Sequence, residues 1–208
     1  MGMARDLSEM TLEELWRLFP IILRPHSTEY QEWFQEERHV IADALASLPG
    51  APGNPADWIF HIGSTSVPGL VAKPTVDILM EISGDTDITE VTARLAGLGY
   101  RVMNSRNTSF FQLDFCKGYT PKGFAERVFH LHVRTPGDWN EPYFCEYLRR
   151  HPEAAAEYTR LKERLAVQFR NNRDAYTDGK TEFIRDCTER ARRELPTGFF
   201  RKGIGEPR

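Results

Sequence analysis

The chain has little of what usually declares a function outright. Its 208 residues include only three cysteines, Cys116, Cys145 and Cys187. They are far apart, odd in number and form no C-x-x-C pair, so they read as free thiols in a reducing compartment. No apolar run approaches the ~20 residues that a membrane span requires. The opening residues, MGMARDLSEM, lack the apolar core of a secretory signal. A charge excess is missing too: 27 Lys and Arg against 30 Asp and Glu leave −3, which gives no global pull toward nucleic acid. Only a local basic patch is in prospect, from Arg190, Arg192, Arg193, Arg201 and Lys202. The P-loop pattern G-x-x-x-x-G-K-[ST] is absent, as are internal repeats and low-complexity runs. A cytoplasmic protein without a membrane segment is the expectation.

What is present is an ordinary globular composition, 40% hydrophobic and 27% charged. The length suffices for one sizeable core, or for a domain with a helical appendage. The most informative stretch is Trp58 to Ile82, WIFHIGSTSVPGLVAKPTVDILMEI. It reads as strand, Gly/Ser/Pro-rich loop, strand. The second strand starts near Thr75 and alternates cleanly. Val76, Ile78, Met80 and Ile82 face one way; Thr75, Asp77, Leu79 and Glu81 face the other. Asp77 and Glu81 are roughly 13 Å apart along such a strand, too far to share an ion without a bend.

Elsewhere, Thr11-x-x-Glu14 predicts a capped N-terminal helix ended by Pro20. Thr28-x-x-Gln31 predicts a second, with Tyr30, Trp33, Phe34, Ile41, Ala44, Leu45 and Leu48 on its apolar side. Residues 20–24 suit an extended segment and 50–57 a plain loop. A helix opens at Asp87 and stops near Gly99. Strands are expected at 100–103, 109–115 and 127–134, with a turn region at 116–126. On the last strand, Val128, His130, His132 and Arg134 share a face. The two imidazoles leave it roughly 6.8 Å apart, a spacing at which they could share a metal or sit hydrogen-bonded within a sheet. From Asp138 onward the chain turns helical: Asp138-x-x-Glu141 as a cap, Pro152 at a first helical position, and Tyr158, Leu161, Leu165 and Phe169 as a buried stripe. Residues 171–179 look turn-like, Phe183 to Ala191 helical, and 196–208 a loose tail. The fold class is α+β, a mixed sheet flanked by helices with a C-terminal helical part. The boundaries are 1–19 for an N-terminal helical extension, 20–137 for the core, 138–195 for the helical part and 196–208 for the tail.

The motif HIGSTSVPGL…KP…DI closely resembles the signature of the GrpB family, whose members look like proteins of the nucleotidyltransferase fold. Residues 20–45, FHLHV at 129–133 and 147–183 are similar to further segments of that family, in its order. The resemblance implies that Gly63 and Ser64 hold nucleotide phosphates, glycine allowing close backbone approach, with Thr65 and Ser66 adding hydroxyls and Lys73 neutralising charge. It makes Asp77 a first metal-binding carboxylate, for Mg²⁺ or Mn²⁺ and less readily Zn²⁺. The second acid of the usual motif is Leu79 here, and Glu81 is a poor geometric replacement. His130 and His132 stand where the fold has a further carboxylate, as ligand or acid/base. Lys180 becomes a phosphate contact and Tyr176 a base-stacking or hydroxyl contact, with Arg106 a weaker basic candidate. His61 is read as a loop-pinning residue.

Three functions follow. The first is a metal-dependent nucleotidyltransferase-like protein that binds a nucleotide or phosphate ester between sheet and C-terminal helices. The second is a non-catalytic nucleotide- or phosphometabolite-binding module, an accessory to coenzyme A metabolism as in relatives fused to dephospho-CoA kinase. The third is a metal-dependent hydrolase built on Asp77, His130 and His132.

Overall fold

The strand–loop–strand at the centre of the sequence forms one edge of the sheet and supplies its second strand. A computed structural model describes residues 6–48, 54, 57–107 and 111–201. Strand β1 (Ile59–Ile62) pairs antiparallel with β2 (Val76–Glu81), which puts Ile62 opposite Asp77. The remaining strands are β3 (Arg101–Asn107), β4 (Phe111–Thr120) and β5 (Gly123–Arg134). The spatial order is β1-β2-β5-β4-β3, and β2 runs parallel to β5. The protein is therefore of the α+β class with a mixed five-stranded sheet.

Alternation along the strands decides which helices cover which face. Val76, Ile78 and Met80, with Phe129, Leu131 and Val133 of β5, pack in one core with residues of α2 (Glu29–Leu45) and α3 (Ile88–Gly97). The opposite face carries Phe60, Ile62 and Leu79, which join α4 (Asn140–Arg150), α5 (Pro152–Gln168) and α7 (Thr181–Glu194) in a second core. Burial of these apolar side chains is the main stabilising contribution on both faces. The second face is only partly filled. Toward its β5–β4 side lie Asp77, His130, His132, Asp114 and Cys116, all of one pleat parity in the register.

The N-terminal helix α1 (Leu12–Leu18) has the expected capping box, with Thr11 and Glu14 satisfying each other's backbone donors. Other boundaries differ for identifiable reasons. Thr28 makes no side-chain cap; the Ser27 hydroxyl accepts the Glu29 N–H instead. The predicted turn at 116–126 is mostly strand, because Gly118 (φ +90°) forms a bulge between Lys117 and Tyr119 rather than a turn. The reversal is confined to Pro121 and Lys122, where Thr120 Oγ1 accepts the Lys122 N–H and donates to Gly123 O. Asp138 does not cap α4. Its carboxylate accepts from Arg192 at 2.5 Å, from the Tyr143 hydroxyl at 2.8 Å and from the Gly198 N–H at 3.0 Å, tying α4, α7 and the following turn together. The turn-like 171–179 holds a short helix, α6 (Arg173–Asp178), capped by Asn172.

The loose tail is also corrected over its described part. Phe200 is 0% exposed in the second core, and Arg201 pairs with Glu81. Residues 202–208, most of the 50–57 loop and the Arg106 side chain lie outside what is described.

The loop between β1 and β2 is held from beneath. Thr65 Oγ1 donates to Thr75 O at 3.1 Å and lies 3.1 Å from His61 Nε2, while the His61 ring stacks on Phe34. Burial pushes the His61 imidazole down to about 3, so it stays neutral and pins the loop, as expected from sequence. Thr65→Val keeps the shape but orphans both partners. It is expected to cost about 1–3 kcal/mol of stability, read by urea unfolding.

Candidate functional site

Between the second face of the sheet and helices α4–α7 lies a cleft of about 610 Å³. Four features build its wall: the glycine turn, a carboxylate–imidazole chain, a second carboxylate–imidazole pair, and a group of cations.

Gly63 sits at the end of β1 with φ +71°, a region other residues rarely adopt. A Cβ there would also lie 2.9 Å from Asp77 Cγ, so only glycine lets the turn pass over the Asp77 carboxylate. Ser64 follows and lines the cleft.

Asp77 on β2 and His130 on β5 are direct partners in the parallel register, and His130 Nδ1 lies 3.1 Å from Asp77 Oδ1. Burial alone would raise the Asp77 carboxyl. The His130 hydrogen bond and the charges of His130, His132 and Lys73 outweigh it and hold the group down at about 2. The carboxylate is therefore ionised, and Nδ1 carries the shared proton. Burial also pulls the His130 imidazole below its usual range, against the opposing pull of Asp77, so Nε2 is a bare acceptor near neutrality. It receives the Tyr119 hydroxyl at 2.8 Å, and the Tyr119 oxygen accepts from Arg173 at 2.8 Å. The chain Arg173→Tyr119→His130→Asp77 is complete, with every proton assigned.

His132, two residues on, has a carboxylate of its own. Its Nδ1 lies 2.8 Å from Asp114 Oδ1 on β4, directly across the antiparallel pair. Asp114 accepts from Arg134 as well, at 2.6 Å. Burial opposes the charge on Asp114, but the hydrogen bonds from His132 and Arg134 hold it at about 2. Burial likewise opposes a charged His132, yet the Asp114 hydrogen bond and the negative charges of Asp77 and Asp114 raise its imidazole.

The cations come from three elements. Lys73 is in the loop, Lys162 on α5, and Arg173 and Lys180 flank Tyr176 on and after α6; all four line the cleft. None forms an ion pair with a described carboxylate. Lys162 is 2% exposed, donating to Val71 O and, at 3.3 Å, to Ser64 Oγ. The Lys73 and Lys180 ammonium groups lie 5.8 and 4.5 Å from the Tyr176 ring centroid. Burial pulls Lys73 and Lys162 down to about 7, helped by the charges of Arg173 and Lys180 at Lys73 and of Lys180 at Lys162. Burial pulls Lys180 to about 8, Asp77 and Arg173 then acting in opposite directions.

The sequence pattern of the GrpB protein family matches residues 20–190. The chain belongs to the GrpB family. It is 37% identical over 169 residues to a UPF0157 protein of Pseudomonas aeruginosa, a match covering 80% of this chain and 66% of that one. It is 23% identical over 182 residues to a dephospho-CoA kinase of Mycolicibacterium paratuberculosis, covering 77% of this chain and 44% of the kinase. The chain thus spans less than two thirds of either relative. Among solved structures, a conserved GrpB protein from Enterococcus faecalis superposes with a TM-score of 0.65 at 26% identity, covering 83% of this chain and 98% of that one. The fold is consistent with a nucleotidyltransferase-like one.

This GrpB chain brings Gly63, Ser64, Lys73, Asp77, His130, His132, Tyr176 and Lys180 to one cleft. Others go elsewhere. Thr65 spends its hydroxyl on the loop. Ser66 donates to Gly63 O at 2.8 Å and accepts from Arg149 at 3.0 Å. Glu81, 3% exposed, accepts from Arg201 at 2.6 Å and from the Gly137 N–H at 2.9 Å at the far end of β2. Tyr176 is 0% exposed, has the Lys73 and Lys180 ammonium groups near its ring, and its buried hydroxyl has no hydrogen-bond partner among the described residues.

Nor does the donor set fit a resident divalent ion. Asp77 Oδ1 and both Nδ1 atoms are engaged within the two carboxylate–imidazole pairs, His130 Nε2 is taken by Tyr119, and Leu79 fills the place of a second acid, which leaves Asp77 Oδ2 and His132 Nε2 as two donors without a third. Among the described residues no three His, Cys, Asp or Glu are grouped to hold a metal.

Asp114, Tyr119, Lys162 and Arg173 were missed. Lys162 had a signal: it lies four residues after Tyr158, on the buried stripe of its helix. Asp114 becomes visible only with the β4–β5 register.

Proposed function

We propose that this cleft binds a small molecule bearing two or more phosphates, a nucleotide or nucleotide-like ester, through its lysines rather than through a resident metal. The observation that carries this is the convergence of Lys73, Lys162, Arg173 and Lys180 without carboxylate partners. Buried ammonium groups are costly unless a counter-charge arrives, and a polyphosphate supplies several at once. The glycine turn beside them gives backbone access, and the cleft volume is that of a ligand pocket of ordinary size. The likeness to a dephospho-CoA kinase favours a second reading, a binding module without turnover, and puts dephospho-CoA in the test panel.

The experiment is thermal denaturation at pH 7 with pyrophosphate, nucleoside triphosphates and dephospho-CoA, all in EDTA. Ligands that bind only the folded state raise Tm, by about 2.7 kcal/mol of added stability at a hundred times Kd. A rise with any phosphorylated ligand in chelator is expected. A rise that appears only with added divalent metal refutes the metal-free reading, and no rise under either condition refutes phosphoanion binding altogether.

A further inference from the structure

We propose that His132 is a phosphoryl acceptor: Nε2 attacks the terminal phosphorus of a nucleoside triphosphate held in the cleft, giving a phosphohistidine. The inference rests on the phosphoanion reading above and goes beyond it from binding to a covalent step. It follows from comparing four nucleophiles that line the cleft, Ser64, Cys145, His130 and His132. The Ser64 hydroxyl lies 3.3 Å from the Lys162 ammonium and accepts from it. The Cys145 thiol donates toward Gly63 O at 3.5 Å, and burial raises it away from the thiolate. His130 has both nitrogens engaged, with Asp77 and with Tyr119. His132 alone among these has an engaged Nδ1 and an Nε2 with no partner among the described residues, on a side chain that lines the cleft.

The support behind that ring is rigid. Arg134, itself buried, donates to Asp114 at 2.6 Å and to the Leu113 and Val133 carbonyls at 3.1 and 2.9 Å. Asp114 is thus fixed, and through Nδ1–H it fixes the tautomer in which Nε2 holds the lone pair. Asp114 acts through His132 and is a positioning residue.

The step balances. The ring, whose proton affinity Asp114 and Asp77 raise, first releases its Nε2 proton to solvent, and the Nε2 lone pair of the neutral imidazole then forms the N–P bond. The bond from the terminal phosphorus to the bridging oxygen breaks, and its electron pair leaves on the nucleoside diphosphate. The ring keeps its Nδ1 proton and becomes a phosphorylated imidazolium, whose positive charge faces the Asp114 carboxylate. Lys73 and Lys180, which line the same cleft, neutralise charge on the departing diphosphate.

The test incubates the full chain with γ-³²P-labelled ATP and, in parallel, measures equilibrium binding of the same nucleotide. Label that is stable to base and lost in acid is expected, at up to one per chain. His132→Gln should lower it more than a hundredfold, while His39→Gln, on the exposed side of α2, leaves it unchanged. Asp114→Asn should slow labelling at least tenfold with nucleotide binding retained, which a merely structural role would not do. Measurable ATP binding without label overturns the covalent step and leaves the binding reading intact. Label that persists in His132→Gln overturns it equally. Absence of ATP binding, with or without magnesium, overturns the covalent step alone if pyrophosphate or dephospho-CoA still binds, and both readings if neither does.

Discussion

Replacing Lys73 and Lys180 together by methionine is expected to weaken pyrophosphate or triphosphate binding at least a hundredfold and, at the same time, to make the unliganded protein more stable. The two signs have one cause. Methionine keeps the unbranched stem against the Tyr176 ring while removing the ammonium groups. Each charge-assisted contact to phosphate is worth about 1.5–3 kcal/mol, so losing two costs 3 kcal/mol or more of binding. In the free protein those same ammonium groups are desolvated and crowd Arg173, which is why they sit near 7 and 8 instead of 10.5. Isothermal titration with pyrophosphate, paired with chemical unfolding, reads both effects. A variant that loses binding and stability together would mean that the lysines are structural.

The same shifts set the pH dependence. The folded free protein holds these lysines, and Lys162, with a lower proton affinity than the unfolded chain. Between about pH 7 and 9 the unfolded state therefore binds more protons, and the contribution of these groups makes stability rise with pH. Ligand binding runs the other way. A polyphosphate favours the ammonium forms, so binding at pH 8 takes up protons and affinity falls as pH climbs through 7 to 8. Titration in buffers of different ionisation enthalpy measures that uptake directly.

Much of this architecture was legible in the chain, and the rest was hidden for physical reasons. The alternation through Val76, Ile78 and Met80 declared both the strand and the face on which Asp77 stands, because the pleat has a fixed period of two. It placed His130 and His132 together by the same rule. What it could not declare was the neighbour of each. That His130 meets Asp77 while His132 meets Asp114 depends on register across β2, β5 and β4, a long-range property. Local signals also competed. Gly118 marks a bulge where a turn was expected, and Asp138 satisfies Arg192 and Tyr143 where a helix cap was expected. Arg173 was concealed by its surroundings: a six-residue helix is too short to show a period, so its stretch looked like a polar turn. The GrpB resemblance supplied the fold, the glycine turn, Lys73 and Lys180, but Lys162 and Arg173, which complete the cationic group, come from separate points of the sequence that it did not mark.

Asp77→Asn decides between the two ways a phosphate could be held here, because they demand opposite signs. Asparagine preserves the shape beneath Gly63 and still accepts from His130 Nδ1. Only the charge goes. If lysines bind the phosphates, Asp77 repels them, and its removal tightens binding. At an effective dielectric of about 20, a unit charge some 6 Å away is worth a few kcal/mol before screening, so about tenfold tighter is the expectation in EDTA. If instead a divalent ion bridges Asp77 to the ligand, the variant loses its binding in magnesium. Stability should move against affinity. A carboxyl held at about 2 against 3.8 stabilises the folded state above pH 4 by roughly 2 kcal/mol, a contribution lost as pH falls toward 2. The variant is thus expected to unfold more easily at pH 7 while gripping pyrophosphate harder, the inverse of the lysine pair. Two variants in one cleft that move stability and affinity in opposite senses, each with its own sign, are what a site built to await an anion requires.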